Sequence, residues 1–289
     1  MHHLNPEIRP FEPGDYPAFV ELLNALRPEH RLSEHELRED DEALPVGHVL
    51  ERWLAEQDGR LAGSGAFGHN EDAFHPQRFW LRVGVRPSCI GRGVGSRLYQ
   101  RLMSRLESRD VISVTTKARV DERVKIRFFE RRGFVEVMRE FESRLDVAAC
   151  DLAPYDGLVP ALQAQGIEVR TLAQLARDPR YRQKIYQLHT ALDADVPAVA
   201  PYTPPSYATF ARHHFDSPRL IRESFFVAVL CDEFIGMSEL WRSQADPYLH
   251  TGLTGVLPAF RRRGVALAMK VAGIRFAREH GYPEIRTEN

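Results

Sequence analysis

Cysteine is scarce. The 289 residues hold three, Cys89, Cys150 and Cys231, far apart and without a C-x-x-C pair. An odd, scattered set builds no disulfide framework, and such sparse use fits a reducing compartment. Excess charge is also missing. Lys plus Arg number 39 against 40 Asp plus Glu, a net charge of −1, so no global field favours nucleic acid or an acidic membrane. No apolar run reaches the roughly 18 residues of a spanning helix. The opening Met1-His2-His3-Leu4-Asn5-Pro6 lacks the apolar core of a signal peptide, so the cytoplasm is the expected location. Glycine and proline, 19 each, are spread without period, which excludes collagen-like and linker-like chains. What is there is ordinary for a globular protein: 43% hydrophobic and 27% charged residues, over a length that suggests two domains.

The chain reads as alternating strands and helices. A short strand at 7–11 precedes a turn at Pro13-Gly14-Asp15 and a helix carrying Tyr16, Phe19, Val20, Leu22, Leu23 and Leu26 at helical spacing. Ser33 with Glu36 three residues on marks the capped start of an acidic helix over 33–43. Strands follow at 48–56 and 61–70 around an Asp58-Gly59 turn, then at 79–85 until Pro87. Val94, Leu98, Leu102 and Leu106 form the stripe of an amphipathic helix. A buried strand at 111–116, a short helix at 123–132 ending at Gly133, and a strand at 135–145 close the block. Residues 148–166, with Pro154, Gly157, Pro160 and Gly166, read as a linker.

The order then repeats. Glu168-Val169-Arg170 mirrors Glu7-Ile8-Arg9, and two helices, two strands around Asp232-Glu233, a strand at 249–256, a long helix at 265–279 and a strand from 284 follow. Val85 and Val256, Pro87 and Pro258, Gly93 and Gly264, and Gly95 and Ala266 all differ by 171 positions, so two copies of one αβ unit stand in tandem. The domains expected are 1–147, a linker at 148–166, and 167–289. The second copy stops before a final helix and strand of its own, so either the chain is truncated or another segment completes its sheet.

Each copy carries a strand, a proline stop, a basic turn rich in small residues, then a helix. Copy one reads Val83-Gly84-Val85-Arg86-Pro87-Ser88-Cys89-Ile90-Gly91-Arg92-Gly93-Val94-Gly95, copy two Thr254-Gly255-Val256-Leu257-Pro258-Ala259-Phe260-Arg261-Arg262-Arg263-Gly264-Val265-Ala266. Open amides at a helix start, small residues and adjacent arginines suit a pyrophosphate. No GK[ST] follows the glycines, and the turn comes too late in each copy for a dinucleotide fingerprint. Both turns resemble the acetyl-CoA signature (Gln/Arg)-x-x-Gly-x-(Gly/Ala) of the GCN5-related N-acetyltransferases. Arg261, Gly264 and Ala266 match it fully; Gly93 and Gly95 match, with Ile90 in the first position. Phe128-Phe129-Glu130-Arg131-Arg132-Gly133-Phe134 resembles the family's later Tyr-x-x-x-Gly-Phe helix, with Phe129 where the tyrosine stands.

The resemblance implies an α/β fold of α+β type: two tandem acyl-CoA N-acyltransferase folds, each a mixed, mostly antiparallel sheet flanked by helices. It implies acetyl-CoA as co-substrate, no metal, and direct attack of a primary amine on the thioester. The cofactor contacts it implies are Val85, Gly91, Arg92, Gly93, Val94 and Gly95 in copy one, and Val256, Arg261, Arg262, Arg263, Gly264, Val265 and Ala266 in copy two. Glu239 and His250 are the candidate bases in copy two; copy one offers His69, Glu71 and Asp72 instead. His213 and His214, as neighbours in sequence, do not share a helix face, so they make no metal pair. The partners expected are a small-molecule or peptide amine, neither nucleic acid nor membrane, with a homodimer as one assembly open to the chain. A degenerate, non-catalytic acyl-CoA-binding module is the alternative.

Overall fold

A computed structural model describes residues 6–288, so the signal-peptide reading of the first five residues lies outside it. The chain divides into two compact units, Met1–Met138 and Arg139–Asn289.

The first unit runs β1 (Glu7–Pro10), α1 (Tyr16–Leu26), α2 (Glu34–Glu42), β2 (Leu50–Gln57), β3 (Arg60–Gly68), β4 (Arg78–Val85), α3 (Val94–Leu106), β5 (Ser113–Thr115) and α4 (Arg123–Glu130). Its sheet has the order β1-β2-β3-β4-β5. All neighbours are antiparallel except β4 and β5, which are parallel. The capping box at α2 forms as the sequence predicts: Ser33 Oγ accepts from the Glu36 amide at 3.1 Å, and the Glu36 carboxylate accepts from the Ser33 amide at 2.7 Å. At the β2–β3 turn Asp58 and Gly59 both take positive φ, 53° and 71°, the conformation the twist of a two-residue hairpin requires. The α3 stripe of Val94, Leu98, Leu102 and Leu106 is fully buried against Phe67, Phe79, Leu81 and Val83 of the sheet. Phe19 and Leu22 of α1 pack with Leu37 of α2 in a separate cluster with Leu54 and Leu61.

The second unit begins with β6 (Glu142–Asp146) and α5 (Leu158–Gln163). It continues through β7 (Ile167–Thr171), α6 (Leu172–Leu175), α7 (Tyr181–Asp193), α8 (Tyr207–His214), β8 (Leu220–Leu230), β9 (Glu233–Arg242), β10 (Tyr248–Val256), α9 (Val265–Glu279) and β11 (Glu284–Glu288). Its sheet order is β6-β11-β10-β9-β8-β7. Met269 and Val265 of α9 pack with Ile235, Leu249 and Val256, while Ile185, Leu188 and Phe210 of α7 and α8 pack with Phe225, Val227 and Met237. The two helical layers therefore bury different clusters of one sheet.

Three sequence expectations change here. The strand placed at 135–145 in the first copy is a strand only over 142–146, and it pairs antiparallel with β11, from Asp146 opposite Glu284 to Glu142 opposite Glu288. The boundary thus falls at 138/139 and not after 147. Residues 148–166 are not a bare linker: Leu158 and Leu162 of α5 belong to the α9 cluster, Asp156 pairs with Arg275 at 2.6 Å, and Arg278 donates to the carbonyls of Val147 and Cys150. The strand position beside β11 is filled from sequence preceding β7, so the second unit is a circularly permuted version of the expected order. Alternation of apolar residues identified this segment as a strand but carries no information on which sheet receives it.

Candidate functional site

The two basic turns share a backbone. Gly91 and Gly93 have φ of 80° and 83°; Arg262 and Gly264, each 171 positions on, have 64° and 85°. Two left-handed residues flanking one other residue bend the chain so that successive amides converge, a concavity suited to anions. Gly93 and Gly264 are the N-caps of α3 and α9, and neither helix start is capped by a side chain. The first-turn amides, those of Val94 and Gly95 or Val265 and Ala266, have no intrahelical acceptor. Gly91, Arg92 and Gly93 are exposed, as are Arg261, Arg262 and Arg263, whereas Val94 and Val265 are buried and anchor the helices. A Cβ on Gly93 would meet nothing within 4 Å; one on Gly264 would touch Leu158 of α5 at 3.4 Å. The first cradle is open, and the second is flanked by the permuted segment.

Arg261, an expected cofactor contact, is engaged within the second unit. Its Nε donates to the Val256 carbonyl at 2.8 Å and its guanidinium pairs with Asp195, just past α7. In the first unit, where Ile90 replaces it, Arg86 donates through Nε to the Leu61 carbonyl at 2.7 Å and pairs with Glu21 of α1 at 2.8 Å. Each unit thus ties its turn to the sheet and to its first-helix region with one arginine, from different sequence positions. The signature alone did not reveal the substitution.

Behind each turn lies a gap between parallel strands. β4 and β5 pair only over Arg78–Trp80 with Ser113–Thr115, and β10 and β11 only over Tyr248–His250 with Glu284–Arg286. β4 then runs on to Val85 and β10 to Val256 without that neighbour, which brings both valines to the far end of a cleft that opens onto the turn. Ligands of parallel sheets favour such carboxyl ends.

His250 sits at the mouth of the second cleft, the last β10 residue paired with β11, half-buried and opposite Trp241 of β9. Its counterpart in the first unit is Trp80, which pairs with Thr115 in the same way. Between His250 and Val256 the β9–β10 register slips between Thr251 and Thr254, whereas β3–β4 pairs without a slip. Equivalent positions accordingly differ by 170 before the slip and by 171 after it: one extra residue forms a bulge. Glu239 of β9 sits behind this bulge. Its Oε1 accepts from the Leu253 amide at 3.0 Å, and Trp241 donates to the same carboxyl. A Cβ on Gly252 would lie 2.5 Å from Trp241 Nε1 and 2.7 Å from Glu239, so only glycine fits there.

Glu239 is only 2% exposed. Burial pushes its pKa up to about 8, against the opposing Leu253 and Trp241 bonds, so it is largely protonated at neutral pH. A group so enclosed does not reach an incoming amine, and of the two candidate bases the structure leaves His250 at the cleft. Phe129 is buried with Tyr99 and Phe134. In the first unit His69 accepts the Val49 amide through Nδ1 at 3.1 Å and stacks on Phe79.

One grouping escaped sequence reasoning. His214 of α8 lies with its Nε2 3.2 Å from Nε2 of His189 on α7, and His189 Nε2 is 4.0 Å from Glu239 Oε1. Desolvation lowers the imidazoles to about 4 for His189 and about 3 for His214. His189 Nδ1 and Glu239 Oε2 are buried without a hydrogen-bond partner, while the His214 ring faces the Phe210 carbonyl one turn back in α8. The residues lie 25 positions apart on each side, so spacing gave no signal.

Residues 16–134 match the Acetyltransferase (GNAT) family. A GCN5-related N-acetyltransferase from Sphaerobacter thermophilus is 19% identical with a TM-score of 0.69, over 98% of this chain and 86% of that one. A tandem GNAT protein from the clavulanic acid biosynthesis pathway is 17% identical with a TM-score of 0.73, over 98% and 90%. A glucosamine N-acetyltransferase region of a fungal multi-domain β-N-acetylglucosaminidase is 12% identical with a TM-score of 0.68, over 97% of this chain and 35% of that one. No curated protein shows significant sequence similarity to the chain. The split parallel strands and the turn that follows them define an acyltransferase-type fold, present twice. The family match covers residues 16–134, in the first unit; the chain as a whole shares its fold with the Sphaerobacter and tandem GNAT structures.

Proposed function

We propose that the protein transfers an acetyl group from acetyl-CoA to the primary amine of a small molecule or peptide, with the second unit as the reacting centre. The observation that carries the reading is the duplicated cradle: left-handed residues at 91/93 and 262/264 in front of uncapped helix starts, each beside a parallel-strand cleft. The amides of Gly93, Val94 and Gly95, or of Gly264, Val265 and Ala266, would hold the pyrophosphate. Arg92, Arg262 and Arg263 add charge-assisted bonds, while Val85 and Val256 would present strand backbone to the pantetheine arm. Arg261 holds the cradle's shape.

In the second unit His250 is the base. It stands where β10 leaves β11, so its imidazole can take the ammonium proton of the acceptor as the amine attacks the thioester carbonyl. The first unit has Trp80 at this place, which cannot accept a proton, and its role is ligand binding or support.

Calorimetric titration of acetyl-CoA into wild type, Gly93→Glu and Gly264→Glu tests the cradles. Loss of one site in each variant is expected; wild type that binds none removes the cofactor assignment. The second reading, a binding module without turnover, is favoured by Phe129, which offers no proton to a leaving thiolate. Thiol release with an amine panel separates the two.

A further inference from the structure

We propose that His189, His214 and Glu239 form a binding site for one divalent first-row transition ion, zinc or its like, in the core of the second unit. The three residues come from α7, α8 and β9, and one donor atom from each lies within 4.8 Å of the other two. A tetrahedral ion with bonds of about 2.0–2.1 Å holds neighbouring ligands roughly 3.3–3.4 Å apart. The two Nε2 atoms stand at 3.2 Å, and Glu239 Oε1 is 4.0 Å from that of His189. The carboxyl, 4.0 Å from His189 and within 4.8 Å of His214, must move by roughly 0.5–1.5 Å to close the set.

The rings are held in place before any ion arrives. Phe210 stacks on His214 at 4.0 Å with 14° between planes, and it meets His189 edge-on at 5.0 Å. Trp241 meets His214 edge-on at 5.7 Å. The Leu253 amide and the Trp241 indole fix one end of the carboxyl. The fully enclosed Glu239 Oε2 has no partner. A buried acceptor without a partner is costly; a cation held by both carboxylate oxygens would relieve it, with Oε1 the atom 4.0 Å from His189. Two imidazoles and a carboxylate are the donor set of zinc, iron(II) and cobalt(II) sites rather than of calcium or magnesium. His213, one position away, contributes no atom to the group, in keeping with the sequence argument against a His213–His214 pair; the partner of His214 is on another helix. At this depth the ion would tie α7 and α8 to the sheet and would not meet an acceptor.

The test uses the full chain stripped of metal with a chelator and titrated with zinc against a chromophoric competitor. Wild type is expected to hold one zinc that Glu239→Gln and His214→Gln each weaken by about 100-fold or more, while His213→Gln does not. Zinc should raise the melting temperature of wild type and of His213→Gln only. A zinc site that persists unchanged in the Glu239→Gln/His214→Gln double variant, or none in wild type, overturns the proposal. Should the variants not fold, cobalt(II) decides on wild type alone: intense visible bands of a four- or five-coordinate ion support the site, and the pale spectrum of the hydrated ion overturns it. Acyl transfer and acetyl-CoA binding are not readouts here, so this test stands apart from the enzymatic one.

Discussion

At the scale of single residues, two charged candidates from one neighbourhood separate by enclosure. Glu239 on β9 and His250 on β10 are equally suggestive in sequence, yet Glu239 is sealed beneath a bulge and His250 stands at a cleft. The expected kinetic result is that His250→Gln lowers kcat by about 10²–10⁴ with little change in acetyl-CoA affinity; an unchanged kcat on a competent acceptor would remove its role. The buried trio also sets a pH dependence for the metal-free protein. Glu239 is raised, so the folded state keeps a proton that the unfolded chain gives up, and stability falls as pH rises from the ordinary carboxylate range to about 8. His189 and His214 are lowered to about 4 and about 3, so stability falls as pH drops below about 6.5, where the unfolded imidazoles take protons first. These three groups place the optimum near pH 6.5. Melting temperature measured with a chelator present should decline toward pH 8.5 in wild type and decline less in Glu239→Gln.

At the scale of elements, turn chemistry and amphipathic spacing made most of the units legible. Ser33 and Glu36 form the capping box, Asp58-Gly59 makes its hairpin, and the Val94–Leu106 stripe is buried as expected. Ser33→Ala should cost about 1 kcal/mol, read by denaturant unfolding of the first unit. Gly264→Ala forces a Cβ into φ of 85°, which costs about 1–2 kcal/mol and should weaken acetyl-CoA at the second cradle far more than at the first. What sequence could not show is contact between distant positions. The bulge in β10 is one extra residue with no composition of its own, and the arginine clip moved from 261 to 86 because two backbone geometries can deliver a guanidinium to a similar place.

At the scale of the chain, the duplication was readable as a constant offset, but the permutation was not. A strand's pattern names its two faces and leaves its neighbours open, so residues 142–146 looked like the close of the first copy. Leu145 faces Ile285 across the β6–β11 pair and packs on the α9 cluster. A fragment of residues 139–289 should therefore give a cooperative unfolding transition, whereas one of residues 148–289, which leaves β11 with an open edge and removes Leu145 and Val147 from the core, should aggregate or melt without cooperativity. Equal behaviour of the two fragments would mean that β6 adds nothing to the unit.

The same pair has a temporal side. Asp146 meets Glu284, 138 positions later in the chain. At translation rates of about 5–20 residues per second, roughly 7–28 s separate their emergence. For that interval β6 is a strand without a sheet and must be kept from wrong partners. A nascent chain stalled before residue 284 should therefore recruit holdase chaperones through 142–146, and replacing Leu145 by lysine should reduce that capture while weakening the finished fold.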